Sequence, residues 1–275
     1  MIPAAGECHL WLVPVRPRPA WLPLLDAAER ERARRLAGSH AGDELVTSRA
    51  AQRLIGARYL GVPPSAVRTD RSCGHCGGAA HGPPRFVGRP DVTHAVAHAG
   101  AWLLVAVTAG EPVGVDLETT PGFGDRDGLA RATLTAGEAR RYAALPEAER
   151  RRWLLTAWTR KEAAAKLTGL GLRVAPRLLD VSGPVAAAEG VPGWPAEPVL
   201  LRELSLPAGY VGTLATLRPV TALRRLTLPE PDGTVGTDGT DGTDGDSGGA
   251  GATGARNAGS QYPSGGRGGS ASIDT

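Results

Sequence analysis

The sequence predicts an α+β fold in which two similar α/β halves pack around a shared cleft and a disordered tail follows. Two observations support the body of this prediction: helical and strand-like hydrophobic periods alternate along the chain, and one order of elements occurs twice. The tail differs in composition, because Gly, Ser, Thr and Asp dominate it and offer almost nothing to bury. We therefore divide the chain into residues 1–112, 113–228 and 229–275.

The first half begins with a strand in CHLWLVPV, from Cys8 to Val15. A charged helix follows in LLDAAERERARRLAG, with Asp26 as its N-cap and Gly38 as its stop. A longer helix, with apolar residues at helical spacing, is predicted from Asp43 to Gly61.

The middle of the chain, THAVAHAGAWLLVAVTAGEPVGVDLET, predicts two strands, a turn at residues 109–112 and a third strand. Two helices then follow, separated near Pro146, and the second ends at Gly169. One or two strands between Val199 and Leu217 close the second half.

Each half thus runs through a strand, a short charged helix, a long helix and further strands. A pair of related halves would pack together with a cleft between them. Two unrelated α/β segments that are both rich in Ala and Arg would give the same pattern, and the sequence leaves both interpretations open.

Charge is unevenly distributed along the chain, whose formal net charge is +3. From Pro231 to Thr275 there are six aspartates and two arginines, a net charge of −4, which leaves +7 for the rest. A basic body favours anionic partners such as nucleotides, phosphates or acidic proteins.

The N-terminal segment MIPAAGECHLWLVPV has no basic region followed by a long apolar run, so it does not predict a signal peptide. No apolar stretch approaches the length of a membrane span. Three cysteines, an odd number, argue against a disulfide framework. The sequence therefore predicts a cytoplasmic protein.

Both lysines of the chain, Lys161 and Lys166, lie in the stretch WTRKEAAAKLTGLGL, although 31 residues are Lys or Arg. Lysine is a compact, mobile point charge and arginine a broad planar fork, so the two are not interchangeable. The alternative is that two lysines fall together by chance on a solvated helix face.

Two acids, Asp116 and Glu118, stand two residues apart at the end of the strand predicted in GVDLE. Since side chains alternate along a strand, both carboxylates point to one side, where oxygen ligands suit a hard cation such as Mg²⁺. An exposed strand end with two solvated acids is the commoner explanation of such a pair.

Glu162 lies four residues before Lys166, so the two side chains share a helix face. They form either an ordinary ion pair on the helix surface or a third metal-binding carboxylate beside an ammonium that neutralises a phosphate.

The two motifs together resemble the phosphopantetheinyl transferase family. The family's pattern is (I/V)G(I/V)D(I/L/V)E followed by WxxKEAxxKxxGxGL, and here VGVDLE precedes WTRKEAAAKLTGLGL. The positions that match in the second motif are Trp158, Lys161, Glu162, Ala163, Lys166, Gly169, Gly171 and Leu172. The two halves and the chain length are similar to the monomeric, surfactin-synthetase-activating (Sfp-type) branch, and the resemblance covers residues 8–217 without the tail.

This resemblance implies an active site at the interface of the halves. It implies transfer of the phosphopantetheine arm of coenzyme A to a serine of an apo carrier protein, with adenosine 3′,5′-bisphosphate as the other product. Asp116, Glu118 and Glu162 correspond to the Mg²⁺ ligands, and Lys166 corresponds to the lysine at the attacked phosphate. Glu162, or a water that it orients, takes the serine proton. Such a transfer depends on positioning and charge neutralisation more than on covalent help.

Coenzyme A binding is assigned by the same resemblance to Lys161, Lys166 and His98, the last of which corresponds to a histidine near the 3′-phosphate. Arg53 and Arg71 stand at basic positions of the family and are assigned to the same role. The chain departs from the family pattern at several positions, where small or acidic residues replace polar or basic ones: Ala95, Ala97, Ala99, Pro83 and Glu44.

The segment CGHCGGAAH admits a zinc site through Cys73 and Cys76 with His75 or His81. A structural zinc site usually has two pairs of ligands, and only one clear pair is present, so we interpret the segment as a loop. The TDG triplets of the tail resemble a calcium-binding β-roll, but they lack its periodic apolar residue.

Three functions remain open at this level. The first is a Mg²⁺-dependent transferase acting on carrier domains of polyketide, nonribosomal peptide or fatty acid synthases. The second is a non-catalytic paralogue that binds carrier proteins and has lost coenzyme A, which the three alanines around His98 motivate. The third is an unrelated Mg²⁺ phosphohydrolase, which nothing in the sequence favours. None of them involves nucleic acid or a membrane.

Overall fold

The computed structural model describes residues 2–16, 18–72, 77–78, 82–121 and 125–228. Its strands are β1 (Glu7–Pro14), β2 (Thr69–Asp70), β3 (Arg85–Phe86), β4 (Val92–Ala99), β5 (Trp102–Ala109), β6 (Val113–Thr119), β7 (Val185–Ala186), β8 (Val199–Glu203), β9 (Tyr210–Thr216) and β10 (Ala222–Leu226). Its α-helices are α1 (Ala27–Arg35), α2 (His40–Leu60), α3 (Arg126–Thr133), α4 (Ala136–Ala144) and α5 (Glu147–Thr168). The predictions for Cys73, His75, Cys76, His81 and the tail concern residues outside these ranges.

The strands form two sheets, which confirms the mixed α and β class. The first has the order β10-β1-β5-β4-β3-β2 and the second the order β6-β9-β8-β7. One apolar cluster joins α2 to the first sheet, a second lies between the two sheets, and a third joins the second sheet to α5. The layers therefore follow the order α2, first sheet, second sheet, α5. The proposed division at residue 112 falls in the turn between the two sheets.

Strand β5 shows why the middle of the chain has a continuous apolar run. Its residues from Leu103 to Val107 are each exposed by 1% or less, because α2 covers one face of the strand and the second sheet covers the other. Strands that are buried on both faces have near-continuous rather than alternating apolar sequences.

Helix boundaries follow capping chemistry. The Asp26 side chain accepts from the Glu29 amide at 2.8 Å and the Asp26 amide donates to Glu29 at 2.9 Å, a capping box that starts α1 as predicted. The predicted stop at Gly38 is wrong, because α1 ends at Arg35. Gly38 instead adopts a φ of 76° in the turn before Ser39, which caps α2. Helix α2 consequently begins earlier than its predicted start.

Five elements were not predicted: α3, the two-residue strands β2, β3 and β7, and β10. Strand β10 has the sequence ALRRL and forms an edge, paired in parallel with β1 at the opposite end of the chain. An edge strand with exposed arginines lacks the apolar alternation that identifies a strand in a sequence. Among the described residues, no helix has the length and apolar character needed to cross a membrane.

Gly114 brings β6 and α5 unusually close together. A Cβ at this position would lie 1.9 Å from the Ala163 carbonyl oxygen and 2.7 Å from the Leu167 amide nitrogen. Only glycine permits a helix backbone to approach a strand this closely. The close approach brings the acids of β6 to the surface of α5.

Candidate active site

The acids of β6 face α5. Val115 and Leu117 lie in the core between the two sheets, while Gly114 contacts α5 on the other side of the strand. Asp116 and Glu118 share the side of Gly114, because side chains alternate along a strand. The prediction that both carboxylates point to one side is therefore confirmed.

Helix α5 meets these acids with three side chains spaced four apart. The Trp158 indole Nε1 donates to Glu118 Oε1 at 3.1 Å. Two turns later, Lys166 Nζ donates to Asp116 Oδ1 at 2.7 Å and to the Val96 carbonyl at 3.4 Å. Glu162 lies between them on the same face. Trp158 was a matching position of the second motif without a predicted role, and its spacing of four residues from Glu162 is the signal that places it here.

Asp116, Glu118 and Glu162, which we call the carboxylate cluster, all have pKa values above the ordinary values of their side chains. Burial raises the pKa of Asp116, and Lys166 only partly opposes this. Burial, followed by the charge of Asp116, raises the pKa of Glu118 to about 7 despite the hydrogen bond from Trp158. Burial and the charge of Asp116 also raise the pKa of Glu162. Clustered acids of this kind are frequent at functional sites.

This cluster has donor atoms that suit a hard cation. Asp116 is 6% exposed, and its Oδ2 atom is buried without a hydrogen-bond partner in the described structure. A bound cation would give that oxygen a partner and would reduce the repulsion between the negative charges of the acids. However, the described ranges contain no ready-made group of three His, Cys, Asp or Glu side chains that could hold a metal. Because Mg²⁺ usually keeps several waters, one or two carboxylates suffice to hold it.

A cavity of about 290 Å³ opens beside the cluster, between α2, β4 and β6. We call it the central cavity. Its lining includes Glu44, Arg49, Arg71, His98, Asp116 and Lys166. It therefore brings His98 and Arg71, from residues 1–112, together with Asp116 and Lys166, from residues 113–228.

Arg71 is the cation of this cavity that most clearly needs an anion. Its Nη2 donates to Gln52 Oε1 at 3.2 Å, and it takes part in none of the ion pairs formed by the described residues. Burial and, secondarily, the like charge of Arg49 lower the pKa of Arg71 to about 10. A largely buried guanidinium without a carboxylate partner favours the binding of a phosphate.

Lys161 lies outside the central cavity, contrary to its assignment to coenzyme A binding. It is 1% exposed, and its ammonium donates to Glu138 Oε2 at 2.6 Å. Three backbone carbonyls also accept from it, those of Thr133, Pro176 and Leu179. Positions five apart on an α-helix point about 140° away from each other, so Lys161 and Lys166 cannot face the same site. One lysine is structural and the other belongs to the cavity.

Arg53 is also not brought into the central cavity. It pairs with Glu29 at 2.8 Å and with Asp26 at 3.7 Å, so its charge is matched by acids of α1 and its N-cap. The alanines have a packing role, since Ala95 and Ala97 are 5% and 3% exposed in the core between the sheets.

His94, on β4, is buried beside a second, adjoining cavity of about 260 Å³. Its ring stacks on Phe86 with centroids 4.0 Å apart, and both ring nitrogens lack a hydrogen-bond partner among the described residues. Burial, together with the charge of Arg71, lowers the pKa of His94 from 6.5 to about 3. The folded protein therefore holds this imidazole neutral.

His94 should make stability depend on pH. The unfolded chain takes up a proton below pH 6.5 and the folded chain does not, so stability is present above pH 6.5 and is lost as pH falls towards 3. Between pH 7 and pH 5 the contribution of His94 to this loss should be about 2 kcal/mol in the free energy of unfolding. The raised pKa of Glu118 acts in the opposite direction, so the effect of His94 is the difference between the parent and His94→Phe, which keeps the stack on Phe86, in urea titrations at the two pH values. The exposed His40→Gln should behave like the parent, and an equal change between the two pH values in the parent and in His94→Phe would contradict the prediction.

Comparison with known proteins agrees with this geometry. Residues 112–189, which carry the carboxylate cluster and both lysines, match the model of the 4′-phosphopantetheinyl transferase superfamily. The chain is also 28% identical over 176 residues to the 4′-phosphopantetheinyl transferase HetI of Nostoc sp. (strain PCC 7120 / SAG 25.82 / UTEX 2576), an alignment that covers 61% of this chain and 71% of HetI. Together the two matches support phosphopantetheinyl transferase activity, which makes the chain an enzyme of the transferase class.

Proposed function

We propose that this enzyme transfers the 4′-phosphopantetheine arm of coenzyme A to a serine of apo carrier proteins in a Mg²⁺-dependent reaction. The carriers would belong to polyketide, nonribosomal peptide or fatty acid synthases, and the enzyme to the surfactin-synthetase-activating branch. The observation that carries this proposal is the contact between Lys166 and Asp116 at the edge of the central cavity, with Glu118 and Glu162 alongside. Together these groups provide an ammonium that can pair with a phosphate and carboxylates that can bind a cation or accept a proton.

In the proposed reaction the serine Oγ attacks the phosphorus on the pantetheine side of the pyrophosphate. A new P–O bond forms there, and the bond from that phosphorus to the bridging oxygen breaks. The leaving adenosine 3′,5′-bisphosphate keeps the electron pair, and the serine proton passes to Glu162 or to a water that Glu162 orients. Lys166 and Arg71 neutralise phosphate charge within the cavity.

Asp116, with Glu118 and Glu162, would hold the Mg²⁺. The orphaned Oδ2 of Asp116 and the raised pKa values of the cluster support this assignment. A bound Mg²⁺ supplies charge neutralisation at the pyrophosphate. Removal of the metal should therefore abolish transfer while leaving the fold in place.

We further propose that the enzyme works as a cytoplasmic monomer made of two related halves. The central cavity supports this proposal, because α2 and β4 on one side and β6 and α5 on the other complete it within one chain. Each half also places one long helix against one sheet. Sedimentation at the concentration used for activity should give the mass of one chain, 28.4 kDa.

One observation favours a second candidate, the non-catalytic carrier-binding paralogue. Glu44 places a carboxylate in the cavity, where it accepts from His98 at 3.1 Å. A protein of this kind would bind carrier proteins without binding coenzyme A, and calorimetry with coenzyme A separates the two candidates.

The test combines the purified protein with coenzyme A, Mg²⁺ and a panel of apo carrier proteins, which are then weighed by mass spectrometry. We expect one carrier at least to gain the mass of one phosphopantetheine. A chelator should remove the gain, and Glu162→Gln should slow it by about 100-fold or more. Glu189→Gln, at an exposed glutamate, is the matched control. The absence of any mass gain, together with the absence of coenzyme A binding, would sink the proposal.

A further inference from the structure

Gln52, on α2, is a buried side chain that contacts Arg71, the cation of the central cavity described above. It is 3% exposed, and its Oε1 accepts from Nη2 of Arg71 at 3.2 Å. Its Nε2 donates to the Ser48 carbonyl at 3.0 Å and to the Ser48 hydroxyl at 3.1 Å, one turn earlier on the helix. A guanidinium has only donors, so the two bonds to Ser48 are consistent with an amide whose acceptor end faces Arg71.

The Gln52 amide gives Arg71 a partner without cancelling its charge. An amide oxygen accepts from one N–H of the guanidinium, whereas a carboxylate would also neutralise it. Within the described part of the chain Arg71 forms no ion pair, and Glu29 already lies 2.8 Å from Arg53 and 3.5 Å from Arg49. The charge of Arg49 lowers the pKa of Arg71 more than the charge of Glu29 raises it. The positive charge of Arg71 is therefore available to an anion.

Arg71 occupies a position at which this charge reaches a ligand. It lines both the central cavity and the adjoining cavity beside His94, and Lys166 lines the same two cavities. A guanidinium binds phosphate oxygens through N–H groups whose directions are fixed by its plane. One anchored N–H therefore limits where the others point, so the contact with Gln52 affects both the charge and the orientation of the group.

We propose that Gln52 is a positioning residue for the donor: it orients Arg71 through a neutral acceptor, so that the guanidinium meets the phosphate groups of the donor with its full positive charge. The inference deepens the proposed function and rests on it for the identity of the donor. A glutamate at this position would keep the acceptor oxygen, but its charge would pair with Arg71 and compete with the phosphates.

Two substitutions of Gln52 separate charge from packing. Gln52→Glu keeps the shape and an acceptor for Arg71 but adds a negative charge, and Gln52→Met removes both hydrogen-bonding ends and adds no charge. Calorimetry with inorganic pyrophosphate in the presence of Mg²⁺ should give a Kd about tenfold higher in Gln52→Glu than in the parent, the effect of one unit charge near a partly buried anion. In Gln52→Met the Kd should rise only about threefold, because Arg71 loses its anchor and keeps its charge. A packing role for the amide predicts the reverse order, since methionine loses more of its hydrogen bonds than glutamate does.

Two further variants complete the comparison. Ala66→Glu is the matched control, because it makes the same change in net charge at an exposed residue that lines neither cavity, and its Kd should stay within about twofold of the parent value. Arg71→Gln removes the positive charge itself and should weaken pyrophosphate binding by about tenfold or more. Urea unfolding checks that each variant is folded, and Arg71→Gln keeps the test decisive if a Gln52 variant is not, because parent-like binding in Arg71→Gln would overturn the inference.

Transfer assays keep this inference separate from the proposed function. With coenzyme A and an apo carrier protein, Gln52→Glu should raise KM for coenzyme A about tenfold and change kcat less. If no carrier is modified, the proposed function fails, but weaker binding of pyrophosphate in Gln52→Glu than in Gln52→Met still supports the role of Gln52. Equal binding by the parent and Gln52→Glu, tighter binding by Gln52→Glu than by Gln52→Met, or no binding of pyrophosphate by the parent overturns it.

Discussion

Lys161→Met is expected to destabilise the protein by about 3–5 kcal/mol, the usual cost of leaving one partner of a buried ion pair alone. The Lys161 ammonium donates to Glu138 at 2.6 Å, and both side chains are only 1% exposed. Removing it leaves the Glu138 carboxylate without its cation. It also leaves the carbonyls of Thr133, Pro176 and Leu179 without this donor.

A double variant identifies the cause. Glu138→Gln removes the negative charge and keeps an acceptor for the Val181 amide, which now donates to Glu138 at 2.9 Å. Combined with Lys161→Met, it should recover about 2 kcal/mol relative to the single lysine variant. Urea unfolding followed by tryptophan fluorescence gives the free energies. An unchanged free energy of unfolding in Lys161→Met, accompanied by weaker binding of coenzyme A, would restore the assignment of this lysine to the cavity.

Lys166→Met is expected to have a different profile, with transfer slowed by about 100- to 1,000-fold and a smaller loss of stability than in Lys161→Met. The side chain of Lys166 is 34% exposed and holds Asp116 at 2.7 Å beside the central cavity. Because water still reaches the ammonium, its loss costs the fold far less than the loss of Lys161. Its charge matters when a phosphate enters the cavity.

Lys166→Arg tests whether the shape of the cationic group matters as well as its positive charge. The planar guanidinium is broader than an ammonium, so we expect it to restore no more than about a tenth of the parent kcat/KM. Single-turnover transfer to an apo carrier protein measures the rate, and urea unfolding confirms that the fold is intact. Full activity in Lys166→Arg would show that position 166 requires only a positive charge.

The prediction from sequence was strongest where local chemistry acts alone. The N-cap at Asp26, the helix ends at Gly61 and Gly169 and the break near Pro146 depend on neighbouring residues, and each appears at or near its predicted place. The two-residue spacing of Asp116 and Glu118 likewise placed both side chains on one side of β6, because the alternation of side chains is a local property of a strand.

Long-range contacts decided the rest. The pairing of β10 with β1 joins residues 222–226 to residues 7–11, and no local pattern encodes such a partner. Glu44 and His98 lie on different elements, and their hydrogen bond exists only because α2 and β4 meet beside the cavity. The same is true of Glu138, which no spacing rule connected to Lys161.

By itself, then, the sequence determined the mixed α and β class, the helix caps and the pair of motifs that resembles the transferase family. Only the tertiary structure decided which lysine of the second motif serves the cavity and which holds the fold together. The physical reason is that successive side chains of an α-helix point in different directions around its axis, so two lysines five residues apart face different neighbours. What each side chain does depends on what packs against that side: Asp116 and the cavity for Lys166, and the buried Glu138 for Lys161.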